Sequence, residues 1–204
     1  MNSGLLFVVS APSGCGKDTL LRRVCALYGD VCVSVSATTR PMRAGETEGE
    51  DYFFVSRERF AEMIANGELL EYAEYNGNYY GTVRSHVERL MAQGKHVILI
   101  IEVQGAALLR AKGLFLTTIF LLPPSRAELL HRLRKRSTDT EQEIANRLAI
   151  ADGELRQAAQ YDYLLVNGDL DTAAVQLHGI LDAQRYRREN MQSVWEEVMS
   201  HAEV

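Results

Sequence analysis

Ser13-Gly14-Cys15-Gly16-Lys17-Asp18-Thr19 follows the apolar run Leu5-Leu6-Phe7-Val8-Val9 and precedes Leu20-Leu21-Arg22-Arg23-Val24. The first run reads as a buried strand, the glycines admit a tight loop, and the last segment repeats apolar residues at helical spacing. Strand, loop and helix in that order make a phosphate cradle. Main-chain N–H groups and the positive end of the helix converge on one anion, and Lys17 adds a point charge. Such loops follow the pattern G-x-x-x-x-G-K-[ST]. Gly16-Lys17 match it, whereas Ala11 stands at the place of the first glycine and Asp18 at that of the hydroxyl. The other reading is a glycine-rich turn that only joins strand to helix, and it gives no reason for Lys17.

The 204 residues suffice for one well-buried core, and 24% charged with 47% hydrophobic residues is the balance of a globular protein. A net charge of −5 argues against a nucleic-acid binder, so an anionic substrate must be held by locally gathered Arg and Lys. Cys15, Cys25 and Cys32 have neither zinc spacing nor the look of a disulfide frame, which implies reduced thiols and a cytoplasmic protein. At the start of a helix, Cys15 is either a thiol of lowered pKa, open to oxidation, or a small residue that fits. The histidines are scattered without ligand spacing. Neither a leader sequence nor an apolar run of membrane length is expected.

Beyond the first helix, which is expected to end near Tyr28-Gly29, Cys32-Val33-Ser34-Val35-Ser36 alternates like one short strand. A long polar segment, 37–51, follows; loops of that length inside a compact domain are usually functional. Then come an aromatic strand at 52–55, a helix over 57–66 capped by Ser56, and a hairpin turning at Asn76-Gly77. The spacing next predicts a helix over 84–93, a buried strand over 97–101, a helix over 105–111 and a strand over 116–122. Apolar strands separated by helices point to a parallel sheet covered on both faces, an α/β fold. A helix over 125–133 leads through a basic run to a capping box at Thr140 and Glu143, whose helix runs to about 160. A last strand over 163–166 and one amphipathic helical stretch over 170–200 complete the expectation. The apolar face around Trp195 and Met199 raises the prospect of a homo-oligomer.

Several blocks together resemble guanylate kinases in order and spacing. They are Ser34 to Glu46 with its T-T-R-x-x-R-x-G-E core, Gly49-x-Asp51-Tyr52, Gly77-Asn78-Tyr79-Tyr80-Gly81-Thr82, Glu102-Val103-Gln104-Gly105, and Arg132-x-x-x-Arg136 with Arg147 beyond. The likeness covers 4–171. It implies a P-loop kinase with a parallel core (1–36, 88–125 and 157–204), a small α+β GMP-binding insert (37–87) and a helical lid (126–156) closing over ATP. It implies the reaction ATP + GMP giving ADP + GDP, with dGMP as a second acceptor, dependent on Mg²⁺.

The roles implied by the resemblance make physical sense. Phosphoryl transfer needs two anions positioned and charge neutralised, so cationic clamps serve better than a nucleophile. ATP would lie on Ala11, Pro12, Ser13, Gly14, Cys15, Gly16, Lys17, Asp18 and Thr19, with Asn167 beside its adenosine. Arg40 and Arg43 would fork onto the acceptor phosphate, joined by the hydroxyls of Tyr52 and Tyr80. Glu71 would take guanine N1–H and the 2-amino group, with Ser36 and Thr82 on the base's remaining polar edge. Glu46, matched to the GMP site, and Asp51 would orient the loop's arginines; Glu102 also belongs to the GMP side. Lys17, Arg40, Arg132, Arg136 and Arg147 would embrace the moving phosphoryl group, while Arg134 and Lys135 read as a solvated helix face.

The chain departs from that pattern near the metal. Asp18 replaces the usual Ser, and Ile100 stands where an acidic residue usually precedes Glu102 by two. Either Asp18, with Thr19, supplies the missing carboxylate to Mg²⁺, or it repels ATP. Ser137 replaces a lid glycine. The G-K-D loop also fits ribose 1,5-bisphosphate kinases that look like this family, and a non-catalytic guanylate-kinase-like binding module is a third reading.

Overall fold

The computed structural model describes residues 4–114, 116–135 and 140–200. Its elements run β1 (Leu6–Ser10), α1 (Lys17–Leu27), β2 (Val31–Val33), β3 (Ser36–Thr38), β4 (Tyr52–Phe54), α2 (Arg57–Ala65), β5 (Leu69–Tyr75), β6 (Asn78–Val83) and α3 (Arg84–Ala92). They continue with β7 (His96–Ile100), α4 (Val103–Ala111), β8 (Thr117–Leu122), α5 (Arg126–Lys135), α6 (Glu141–Gln157), β9 (Tyr163–Val166), α7 (Leu170–Ala183) and α8 (Gln192–Ser200), with short 3₁₀ turns after α6 and α7. The predicted Arg136 and Ser137 lie outside the described residues.

β1 is central in a five-stranded parallel sheet of order β2-β7-β1-β8-β9, with Leu6 opposite Val97 and Phe7 opposite Thr117. Its side chains alternate as strand geometry requires. Phe7 and Val9 join Leu20, Leu21 and Val24 of α1 and Leu177 and Leu181 of α7 on one face. Val8 joins Val87 of α3 and Ala106 and Leu109 of α4 on the other. Both faces are thereby covered, which is why the strands are apolar throughout.

A second, mixed sheet, β4-β3-β6-β5, has its own small core of Ala37, Phe60, Met63 and Leu69. Ser56 caps α2 by accepting from Arg59 N–H, and Asn76 and Gly77 take the positive φ of 47° and 71° that a tight hairpin needs. α5 and α6 form a third unit on Leu129, Leu133 and Ala151, clamped by Arg126 on Asp152 at 2.6 and 3.1 Å, with the expected capping box at Thr140.

Two expectations change. The alternating run 32–36 is not one strand. β2 ends at Val33, Ser34 N–H still donates to Ile98 of the parallel sheet, and Ser36 already pairs with Tyr52 and Thr82 of the other sheet. Period-two alternation records which side a residue faces but not which sheet it joins. The stretch 170–200 is not continuous either. Arg187 is extended (ψ 142°), and the Gln184 carbonyl, which accepts from Arg187 N–H in a 3₁₀ turn at 3.2 Å, also accepts from Asn190 Nδ2 at 2.7 Å. Val194, Trp195, Val198 and Met199 of α8 stay exposed.

Candidate active site

Gly16 begins α1 at φ 84°, where a side chain would be strained, and a Cβ there would stand 3.0 Å from Asn167 Nδ2. The loop turns through Cys15 N–H to the Pro12 carbonyl, and the Cys15 carbonyl accepts from Asn167 Nδ2 at 2.8 Å and Arg132 Nη1 at 3.2 Å. With its carbonyl edge held this way, the first N–H groups of α1, which have no intrahelical acceptor, serve a pocket of about 450 Å³. Gly14, Gly16, Thr19, Arg132, Asn167 and Leu170 line it. A larger groove of about 580 Å³ between β9 and α7 is lined by residues such as Leu164, Val166 and Ile180 without one Lys or Arg, so it suits no phosphate.

Burial pulls the Lys17 ammonium pKa down, and the carboxylates of Asp18, Glu102 and Glu154 push it back. The Cys15 thiol is the reverse of the reactive one considered above. It is buried, 3.5 Å from the Leu121 carbonyl, and burial raises its pKa to about 11, outweighing Arg132 and Lys17. The helix start cannot act on a thiol that points into the core.

α5 and α6 both reach the loop. Arg132 of α5, held by Glu128 at 2.7 Å, contacts the Cys15 carbonyl, and Arg147 of α6 donates to Ser13 Oγ at 3.2 Å. Arg134 pairs with Glu141 on an exposed face, as expected. Asn167, matched above to adenosine, lines the pocket while its amide nitrogen braces the loop.

Beside the second sheet stands an arginine already oriented. Arg40 binds Glu46 through two nitrogens at 2.7 and 3.1 Å, with the two side chains only 11% and 19% exposed, and its guanidinium lies 5.4 Å from the Tyr52 ring. The Glu46 carboxyl, which also accepts from Arg43 N–H, is held below the usual range by Arg40 first. Tyr80 meets Tyr52 edge-on at 5.9 Å, while the Arg43 side chain is exposed. Among the described residues Asp51 pairs with no arginine; it accepts from Thr47 N–H at 2.7 Å and shapes the loop itself. Burial raises the Tyr52 pKa, with Tyr80 adding to the rise and Arg40 opposing it.

Glu71 of β5 is buried and accepts from Thr82 Oγ1 at 2.6 Å. Burial raises its pKa, and the Thr82 hydroxyl and N–H counter that. Ser36 lies across from Thr82 on β3. Gly105 of α4 makes room for the carboxylate: a Cβ there would stand 3.1 Å from Glu71 Oε2. Ala favours a helix over Gly, so Gly105→Ala is expected to keep the fold while displacing Glu71. Its KM for the nucleotide that Glu71 would meet should rise about tenfold in a coupled assay with kcat nearly unchanged.

The structure therefore groups the loop residues with Arg132, Arg147 and Asn167, and Arg40, Glu46, Tyr52 and Tyr80 into a second cluster, with Glu71, Thr82 and Ser36 beside it. Glu102 begins α4 and is exposed, one turn before the Gly105 that adjoins Glu71. Sequence reasoning missed Glu128, whose i,i+4 spacing to Arg132 was the available signal.

Strand, glycine loop and helix under a basic helical lid define a phosphate-loop kinase. More narrowly, the chain belongs to the guanylate kinase family, whose model matches residues 3–184. It is 49% identical over 190 residues to the guanylate kinase of Escherichia coli K12, covering 92% of this chain and 91% of that one. It is 48% identical over 185 residues to that of Methylococcus capsulatus, covering 91% of each. Among solved structures, guanylate kinase from Anaplasma phagocytophilum superimposes with a TM-score of 0.70 at 34% identity, over 94% of this chain and 95% of that one. Among the described residues no helix is long and apolar enough to cross a membrane.

Proposed function

We propose that this chain transfers the γ-phosphoryl group of ATP to GMP, and to dGMP, with 37–87 as the acceptor-binding insert and 126–156 as the lid. The observation that carries the reading is Glu71, a buried carboxylate with one neutral donor, Thr82, and a helix glycine cleared beside it. A carboxylate so placed is left short of donors until a ligand supplies them, and guanine offers N1–H and the 2-amino group side by side. Adenine presents an acceptor at N1 and adds no donor there to the one Thr82 supplies to Glu71.

Arg40, fixed by Glu46, holds the acceptor phosphate, with Arg43 and the Tyr52 and Tyr80 hydroxyls completing the clamp. Lys17 and the N–H groups of the loop hold the donor phosphates, and Arg132, Arg136 and Arg147 neutralise charge as the group moves. Asp18 and Thr19 are adjacent and exposed, and no group of three or more potential metal-ligating residues exists among the described residues. That donor set suits Mg²⁺, which takes few protein oxygens and keeps its waters. When bound, Mg²⁺ would neutralise phosphate charge. Asp18→Ser should raise the Mg²⁺ concentration giving half-maximal rate by about tenfold and weaken Mg²⁺–nucleotide binding in calorimetry to match. Unchanged or improved Mg²⁺ dependence would mean that Asp18 does not hold the metal.

The function itself is tested in a coupled ADP assay offering ATP with GMP, dGMP, AMP or ribose bisphosphate. Turnover of GMP and dGMP alone is expected; failure to turn over GMP overturns the reading.

A further inference from the structure

β5 does not run evenly along β6. Leu69 stands opposite Val83 and Tyr72 opposite Gly81, so Leu70 and Glu71 together face Thr82 alone, as in a β-bulge. In an even strand Glu71 would share the face of Leu69, which belongs to the insert's core with Ala37, Phe60 and Met63. The bulge turns it instead toward α4: Leu70 joins the core of Val8, Ala106 and Leu109, and a Cβ on Gly105 would stand 3.1 Å from Glu71 Oε2. Leu69, Leu70 and Glu71 are all buried.

The bulge is held from the far end of the same helix. Lys112, the C-terminal cap of α4, donates from Nζ to the Leu70 carbonyl at 2.7 Å. Gly105 and Lys112 are seven residues apart, hence on one face of α4 two turns from each other. Gly105 clears space for the carboxylate, and Lys112 grips the backbone one residue before it. Lys112 is exposed, and fixing a long side chain at a carbonyl costs rotamer freedom that water would leave it. A bulge interrupts the ladder, so its main-chain groups need a partner from outside the sheet. Burial raises the Glu71 pKa, Thr82 counters that, and the charge of Lys112 adds to the opposition, favouring the ionised carboxylate.

We infer that Lys112 is a positioning residue for acceptor choice: by holding the bulge at Leu70 it fixes the direction of Glu71, and so the preference for a base with two adjacent donors. The inference deepens the kinase reading above and rests on it.

The test uses Lys112→Met, which keeps the stem and loses the donor, and Lys112→Arg, which keeps a cationic donor, each in the full chain with and without Glu71→Gln. GMP is compared with IMP, whose hypoxanthine has N1–H but no 2-amino group. Lys112→Met should raise KM for GMP about tenfold and KM for IMP about threefold, with kcat and KM for ATP nearly unchanged, and Lys112→Arg should recover most of the loss. In the Glu71→Gln background Lys112→Met should add less than about twofold, since its effect passes through Glu71. Parental KM values in Lys112→Met overturn the inference. So does an equal rise for both acceptors that persists in full without the Glu71 carboxylate, the signature of a tie between insert and core alone. Hydrogen exchange of amides 70–72 in the nucleotide-free protein should speed up severalfold in Lys112→Met, and parental exchange there also overturns the inference. Exchange is read without substrate, so it stands even if the parent makes no GDP, a result that would count against the kinase reading instead.

Discussion

Glu71→Gln is expected to lower kcat/KM for GMP by about 10³-fold, because two charge-assisted hydrogen bonds to guanine are lost and the new amide sets an N–H against the donors of the base. The loss should fall mainly on KM, since Glu71 holds the base rather than the reacting phosphates. Stability should move the other way. Burial raises the Glu71 pKa, so the folded protein holds that proton more tightly than the unfolded chain does. Stability contributed by that carboxyl therefore declines as pH rises from the ordinary carboxylate range through its raised folded-state pKa. Gln is neutral throughout and still accepts from Thr82, so the variant should melt higher than the parent at neutral pH. GMP binding by the parent should weaken as pH falls through the same window, and the variant should lose that dependence. Scanning calorimetry and GMP titrations at several pH values check all three; undiminished GMP affinity in the variant would remove Glu71 from the site.

Lys17→Met should reduce kcat by about 10³-fold while leaving GMP affinity unchanged, because the cation that leaves belongs to the donor loop. Met keeps the length and apolar stem of Lys, so the half-buried position remains filled. Arginine should not rescue the rate: its planar fork is wider than an ammonium, and the loop turns tightly around this position. Single-turnover kinetics with saturating ATP would separate this loss in the chemical step from weakened ATP binding. A variant that binds ATP normally and turns over at the parental rate would sink the assignment.

The donor loop was legible because its parts are contiguous: an apolar run, glycines, a lysine and a helix start occupy a single window. The hairpin at Asn76-Gly77 and the capping box at Thr140 were legible for the same reason. Sheet membership was not. Ser34 and Ser36 fall on different sheets although nothing in their alternation marks the change, because register is decided by partners remote in the chain. The Cys15 thiol shows the same limit, since its position at a helix start is local but its inward direction is set by Leu121 on β8. The break after α7 depends on Asn190 reaching back to Gln184, a contact no periodicity encodes.

The two sheets differ in how far along the chain their strands must search for partners. All four strands of the smaller one fall within 36–83, and a two-residue turn joins two of them. β1, in contrast, stays without neighbours until β7 and β8 have been made, and parallel pairing over such separations is slow to nucleate. During synthesis the acceptor half can therefore assemble while the strand that ends in the ATP loop is still bare. That strand, Leu6–Ser10, is the segment a holding chaperone would shield and the first place where a slowed ribosome would favour aggregation.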